Sequence, residues 1–355
     1  MTPTDPEDEA ARSEAAAPGD ATAPAPRDGL PVPGRMRAAL VTAIGGPEVM
    51  RAGTAPVPLP VHSEALVRVL AAGVNPIDAK LRGGRAAGLT GLPRAVGGDF
   101  AGIVARSPYE LAPFRPGDEV YGMLLTPRSP GAQAEYAVCP LMSLARKPRN
   151  LSFLEAGAVP LPALTAWTAI VELGRVHSGQ RVLVHAGAGG VGHLAVQLAR
   201  VYGATVVATC SGPNREWLHG LGAAETIDYR AERFEQALSA PVDVVVDLIG
   251  NVRERTGSRS LDPRVLRDGG LYLCVPTGGF PGMHEEIAAQ DRGLLGSGLK
   301  LSPDGRVLET VGRLFEQGEL RVHLERVLRP EEIAEAHRLI EAGHVRGKLV
   351  LDLGA

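Results

Sequence analysis

The chain has 355 residues, 45% of them hydrophobic, and a formal net charge of −3. That length exceeds one ordinary core and predicts two folded units, while the near-balanced charge gives no electrostatic basis for binding nucleic acid or an anionic bilayer. No apolar run is long enough to cross a bilayer, and Cys139, Cys210 and Cys274 lie too far apart for zinc spacing or a disulfide framework, which fits a reducing cytoplasm.

Residues 1–35 are rich in Ala, Pro and acids. They lack the apolar segment of a secretory signal and are too acidic for a mitochondrial presequence, so a disordered tail is expected. From Met36 the texture changes. "MRAALV" (36–41) and "EALVRVLAAGV" (64–74) read as strands divided by the Pro-rich "APVPLP" (55–60). "GGDFAGIVARS" (97–107), "FRPGDEVYGM" (114–123) and "AEYAVCP" (134–140) continue a β-rich half with many turns. Residues 151–174 read as helical.

Strand and helix then alternate. Val182–His185 is a predicted strand, Val191–Val201 a helix, Thr205–Thr209 a strand and Glu216–Leu221 a helix. Val242–Leu248 and Gly270–Val275 are predicted buried strands. This spacing predicts an α/β fold with a parallel, doubly wound sheet. The stretch 319–353 resumes the β-rich pattern of the first half, with a strand, an amphipathic helix and a terminal strand. The expected organisation is a β unit of residues 36–155 and 320–355, with a nucleotide-binding unit, 156–319, inserted between its parts.

The strand at Val182–His185 breaks into "GAGGVG", where Gly187, Gly189 and Gly192 spell G-x-G-x-x-G. Strand before and helix after are the context of a dinucleotide loop. The first glycine permits a tight turn, the second lets a pyrophosphate approach, and the third lets helix and strand pack. N–H groups of the loop, which also contains Ala188, Gly190 and Val191, would hold the phosphates at the helix N-terminus. The alternative is a tight turn without a ligand.

An NAD site usually carries an acid at the end of the second strand, bonded to the ribose 2′-OH. Cys210 stands there, followed by Ser211, Asn214 and Arg215. A hydroxyl, an amide and a guanidinium suit a 2′-phosphate, so NADPH is expected rather than NADH. Ser211 and Asn214 also read as helix caps, and Arg215 as a solvated charge.

"GVNPIDAKLRGG" (73–84), "GGDFAGIV" (97–104), "FRPGDEVYG" (114–122), "LTAWTA" (164–169), "HAGAGGVGHLAVQLAR" (185–200) and "GHVRGKLVLDL" (343–353) occur in one order. Together they resemble the medium-chain dehydrogenase/reductase superfamily, and within it the zinc-free quinone oxidoreductase branch. The resemblance implies a GroES-like β domain plus a Rossmann domain, with the active site in the cleft between them. Zinc-dependent members carry a Cys where this chain has Asn75 and a His-Glu pair where it has Gly98-Asp99. No cysteine precedes Cys139, so the four-cysteine lobe is missing too. The resemblance therefore implies hydride chemistry without a catalytic zinc.

By the same resemblance Asn75 and Asp78 are candidate catalytic residues. The tyrosine common in this branch is absent, and Lys80 is the candidate donor in its place. Read without the resemblance, Asn75-Pro76 makes a turn, Asp78 caps it, and Lys80 and Arg82 are solvated. The resemblance also assigns Thr165 to the nicotinamide side, Tyr229 to the adenosine end, Gly250 and Asn251 to the nicotinamide ribose, and Lys348 to the neighbourhood of the cofactor. The histidines read as structural or surface residues. The loops 126–136 and 276–293 are candidate walls of the substrate pocket, the second as a lid. Family habit adds a homodimer through edge strands, with "GLYLCV" (270–275) and "GLLGSGLKL" (293–301) as contributors.

The expected function is NADPH-dependent, zinc-independent hydride transfer to a quinone or an α,β-unsaturated carbonyl. Enoyl-thioester reduction in a fatty acid or polyketide pathway is one alternative. A non-catalytic NADPH sensor and a zinc alcohol dehydrogenase are the others.

Overall fold

Eight strands occupy the first half of the chain: β1 (Arg35–Val41), β2 (Met50–Pro56), β3 (Glu64–Val74), β4 (Arg94–Ala95), β5 (Asp99–Arg106), β6 (Glu119–Met123), β7 (Tyr136–Pro140) and β8 (Leu144–Arg146). The structure is a computed structural model and describes residues 29–86, 88–125, 131–252 and 255–354. Most of the expected tail, residues 1–28, lies outside them, as do residues 126–130 of the first candidate loop. Among the described residues no helix is long and apolar enough to cross a membrane.

β1 sits between β2 and β4 in a small antiparallel sheet. β3 organises the larger one. It runs antiparallel to β5, and its other edge pairs with β7 in its first half and with the C-terminal β16 (Lys348–Asp352) in its second. β15 (Leu324–Leu328) extends this sheet beyond β16, so the end of the chain returns to the sheet of its first half.

The predicted doubly wound sheet is present. Its strands are β9 (Arg181–Val184), β10 (Thr205–Cys210), β11 (Ala223–Asp228), β12 (Val242–Asp247), β13 (Leu266–Cys274) and β14 (Leu295–Gly298). They run parallel in the order β11-β10-β9-β12-β13-β14. The order reverses between β9 and β12, which opens a crevice at their carboxyl ends. β10 and β12 read as apolar runs because helices cover both faces of the sheet.

The two sheets share one core. Ala101, Tyr121 and Met123 of the first pack in the same cluster as Val182, Val184 and Leu194 of the second. The helices Pro160–Trp167 and Gly305–Glu316 fill the seam. Tyr121 donates its O–H to the carbonyl of Leu308 at 2.6 Å, which ties the second helix to β6. Each fully buried Leu or Val in this seam contributes about 1.5–3 kcal/mol.

Several expectations shift. Residues 151–174 form two short helices, Phe153–Gly157 and Pro160–Trp167, then a wider turn of π type over Thr168–Leu173. The break has a cause: Pro160 has no N–H to continue the first helix and instead starts the second. β11 lies where the sequence predicts no strand, because "AAETID" is too polar to read as a buried strand, and β14 falls within 293–301, where a strand is expected only by family habit. β13 is not an edge strand, since β12 and β14 flank it. Of the two segments expected at a dimer edge, only the one containing β14 lies at one.

Candidate active site

The glycine loop follows β9 and enters the helix Gly192–Val201. A Cβ on Gly192 would lie 2.2 Å from the carbonyl oxygen of Ala186, and one on Gly187 would lie 2.8 Å from the Ala208 methyl of β10. Both are packing glycines. A Cβ on Gly189 would meet only the Ala186 oxygen, at 3.3 Å, and otherwise points into open space. The N–H groups of Gly187 and Gly189 are bonded to Thr209 and Ala186, whereas those of Ala188, Gly190 and Val191 donate to no backbone carbonyl among the described residues. Free donors beside an open face and a helix N-terminus fit a dinucleotide pyrophosphate.

His185, read from sequence as structural, fixes this loop from below. Ser260 gives its hydroxyl proton to Thr256, so His185 Nε2–H donates to Ser260 Oγ at 2.9 Å. Nδ1 then accepts from the Thr209 hydroxyl at 3.2 Å, and that hydroxyl accepts from Ala186 N–H at 3.1 Å. Ala186 needs this support because its φ is +52°. Burial lowers the His185 pKa and favours the neutral ring that the chain of donors requires.

The loop opens on a cavity of about 1140 Å³ between the two sheets. Cys210, Ser211, Asn214 and Tyr229 border one end of it. Burial pushes the Cys210 thiol up to about 11, so it is a neutral group. Asn214 Nδ2 donates to Ser211 Oγ at 3.1 Å, and Asn214 Oδ1 accepts from Arg346 Nε at 2.8 Å. Tyr229 is 44% exposed, with the Arg230 guanidinium over its ring. Arg215 does not border the cavity. Its Nε and Nη2 donate to Thr226 Oγ1 and to the Thr226 carbonyl on β11, at 3.1 and 3.2 Å, because the first turn of its helix packs on that strand. Asp228 is the nearby acid; its Oδ1 accepts the Arg230 N–H, and it does not border the cavity.

Asn75, Lys80 and Thr165 border the other end. Asn75 caps the helix Pro76–Arg82, and its amide is bonded at both its oxygen and its nitrogen. Nδ2 donates to Asp99 Oδ2 at 2.8 Å and Oδ1 accepts from Lys348 Nζ at 2.5 Å. Lys348 also lies 3.3 Å from Asp99 Oδ2, and Leu161 N–H donates to Asp99 Oδ1. Burial pushes the Asp99 carboxyl up, opposed by the Lys348 ammonium and these donors. Lys348 therefore holds Asn75 and Asp99 and does not itself border the cavity.

Asp78 does not reach the cavity either. It is fully buried; Oδ2 accepts from Asn75 N–H at 2.9 Å and from Gln133 Nε2 at 3.2 Å. Burial pushes it up to about 7. It is a capping group, the reading its Asn-Pro context offered. Lys80 does border the cavity, half-buried, with its pKa lowered by burial and then by Arg85. Thr165 borders it while donating to the carbonyl of Leu161. Gly250 and Asn251 turn away: Gly250 N–H donates to Asp247 Oδ1, and the Asn251 amide closes on Ser258 at 2.8 and 2.9 Å. Their neighbours Leu248, Ile249 and Val252 border the cavity instead.

The remaining wall is mainly apolar, with Ile77, Met123, Leu125, Leu161, Leu299 and Leu301. Pro276 joins it, but the rest of the expected lid is anchored: Phe280, Met283 and Ile287 are buried beneath β13. Among the described residues no three His, Cys, Asp or Glu side chains are grouped to hold a metal ion.

Residues 62–149 match the family described as alcohol dehydrogenase GroES-like domain, and residues 221–351 the one described as zinc-binding dehydrogenase. The 2-methylene-furan-3-one reductase of Solanum lycopersicum is 32% identical, covering 91% of this chain and 80% of its own. The chloroplastic NADPH-dependent alkenal/one oxidoreductase of Arabidopsis thaliana is also 32% identical, over 90% and 80%. The solved quinone oxidoreductase of Coxiella burnetii is 36% identical with a TM-score of 0.82, covering 90% of this chain and 99% of that one. Together with the GroES-like β unit and the Rossmann sheet, these place the chain: it belongs to the medium-chain dehydrogenase/reductase superfamily, in its quinone oxidoreductase-like branch.

Proposed function

We propose that the protein is an NADPH-dependent, zinc-independent reductase of α,β-unsaturated carbonyls or quinones. One observation carries the reading: a single cavity joins the free N–H groups of the glycine loop to an apolar chamber whose polar border at that end is Asn75, Lys80 and Thr165. A nicotinamide cofactor follows from the family and the Rossmann fold. NADPH is favoured because Cys210, a neutral thiol, stands where an NAD site would have an acid, with the hydroxyl of Ser211 and the amide of Asn214 beside it. The names of the tomato and Arabidopsis relatives point to conjugated substrates.

NADPH, when bound, supplies the hydride. The protein does the rest. The loop and its helix end fix the pyrophosphate. The apolar walls exclude water and flatten a conjugated substrate against the nicotinamide. Hydride addition at the β-carbon moves charge to the carbonyl oxygen, and Lys80 is the titratable donor positioned along that wall to offset it. Its lowered pKa eases proton release toward an enolate. Asn75 shapes the floor, with its Oδ1 held by Lys348 and one N–H of its amide given to Asp99.

The same reading keeps the nucleotide unit at 156–319 between the two parts of the β unit, a cytoplasmic location, and a homodimer through the edge strand β14, where Leu295 is exposed. The test is oxidation of NADPH and of NADH, in chelator-treated protein, against a quinone, a simple enone, an enoyl thioester and an aldehyde. The expected result is NADPH consumption with the enone or quinone. Consumption only with the thioester moves the reading to enoyl-thioester reduction. Tight NADPH binding without turnover of any of them favours the sensor.

A further inference from the structure

We infer that Arg346, from the C-terminal loop, selects NADPH by binding its ribose 2′-phosphate with Ser211 and Asn214. The inference rests on the NADPH reading above and names the cation of that site. The residue that the sequence offered, Arg215, is spent on Thr226. Arg346 comes from the opposite end of the chain, 132 residues beyond Asn214, and its Nε donates to the Asn214 amide oxygen at 2.8 Å. That bond turns Asn214 Nδ2 toward Ser211, so a hydroxyl and an amide on the cavity border are held by the same guanidinium.

The guanidinium is positioned, and beyond its Nε bond to Asn214 it carries no ion pair among the described residues. It lies over the Trp217 ring, 5.6 Å from its centroid, which fixes its plane. No carboxylate lies within ion-pair distance of it among the described residues. The residue is half-buried, and its Nη groups form a fork suited to two phosphate oxygens. Other cations nearby are engaged: Arg230 is set over Tyr229 and reaches His344 at 3.4 Å, and Arg233 and Arg259, which border the cavity, are both paired with Glu235.

The loop around Arg346 is built to stay in place. Gly343, His344 and Val345 border the cavity, and Arg346 stands directly behind that border, against Asn214. Gly347 N–H donates to the carbonyl of Ala188 inside the glycine loop at 2.9 Å. Gly347 has φ +64°, and a Cβ there would lie 2.3 Å from the His323 carbonyl oxygen, so only glycine lets the chain pass. One loop thus braces the pyrophosphate site and carries the cation for the 2′-phosphate.

The test compares wild type with Arg346→Met, which keeps a stem over Trp217, and Arg346→Lys. Dissociation constants for NADPH and NADH are measured by calorimetry, without substrate, alongside thermal melting. The expected result is a wild type that prefers NADPH and an R346M protein whose NADPH affinity falls about ten- to hundredfold. NADH affinity and melting stay unchanged, and R346K recovers part of the loss. Equal weakening of both cofactors would reduce Arg346 to a brace, and no weakening would remove it from the site. Either overturns the inference while wild-type preference keeps the NADPH reading intact. A wild type that binds NADH as tightly as NADPH overturns both.

Discussion

Alanine at Gly189 and alanine at Gly192 are separable by geometry, though both change one hydrogen to a methyl in the same loop. At Gly192 the new Cβ falls 2.2 Å from the Ala186 carbonyl oxygen and 2.8 Å from Gly187 Cα. These are backbone atoms in a loop whose first residue is already held at φ +52°, so relief requires moving the loop off its helix. Overpacking of this kind costs about 1–3 kcal/mol, or a melting-point drop on the order of 2–4 °C per kcal/mol. At Gly189 the one close atom is 3.3 Å away, so stability should hold, or rise by about 0.4–1 kcal/mol through the unfolded chain. The Gly189 methyl instead occupies the face where the pyrophosphate approaches. Losing one or two charge-assisted bonds there, at about 1.5–3 kcal/mol each, weakens NADPH at least roughly tenfold. Calorimetric titration and thermal melting of the two variants read these effects separately. A G189A protein that binds NADPH like wild type would refute the placement of the pyrophosphate on this loop.

Other perturbations follow from the buried polar groups. Asp78 has its folded value raised from 3.8 to about 7, so the folded state holds a proton that the unfolded chain has lost; its contribution is full below about pH 4 and is lost as pH rises toward 7. Asp78→Asn keeps an oxygen for the Asn75 cap and should flatten the fall of stability across that window, read by denaturant melts at several pH values; an unchanged slope refutes the assignment. Lys348→Met strands the Asp99 carboxylate in a dry site and should cost about 3–5 kcal/mol, whereas loss under 1 kcal/mol by the same melts would mean that the pair is not closed. Cys210→Asp should lower NADPH affinity by about tenfold or more and leave NADH equal or tighter, because the new carboxylate faces the 2′-phosphate; equal loss of both would place the ribose elsewhere.

The nucleotide half was legible where one residue type had one structural solution. Gly187 and Gly192 could be assigned because strand, glycines and helix occurred in sequence order, and their packing roles are local. The functional direction of side chains was less legible. Arg215 is adjacent in sequence to the expected phosphate site but packs on β11, a strand too polar to foresee. Arg346 reaches that site only because β16 returns along β3 and carries the preceding loop to the glycine loop. Asp78 and Lys348 sat in motifs that pointed to the cleft, yet their burial was decided by partners 55 and 249 residues away, Gln133 and Asp99. Gly250 and Asn251 follow β12 directly, but a tight turn onto Asp247 and Ser258 keeps them off the cavity border. His185 had one usable signal, its position directly before the loop, and its role needed the hydroxyls of Thr209 and Ser260.

The decisive measurement is transfer of deuterium from NADPH labelled at the nicotinamide C4, in chelator-treated protein, to a simple enone, with the product analysed by mass spectrometry and proton NMR. Label on the β-carbon of a saturated ketone is the predicted result. Label on the carbonyl carbon of an alcohol, transfer that requires added zinc, or no transfer to any conjugated acceptor would contradict it.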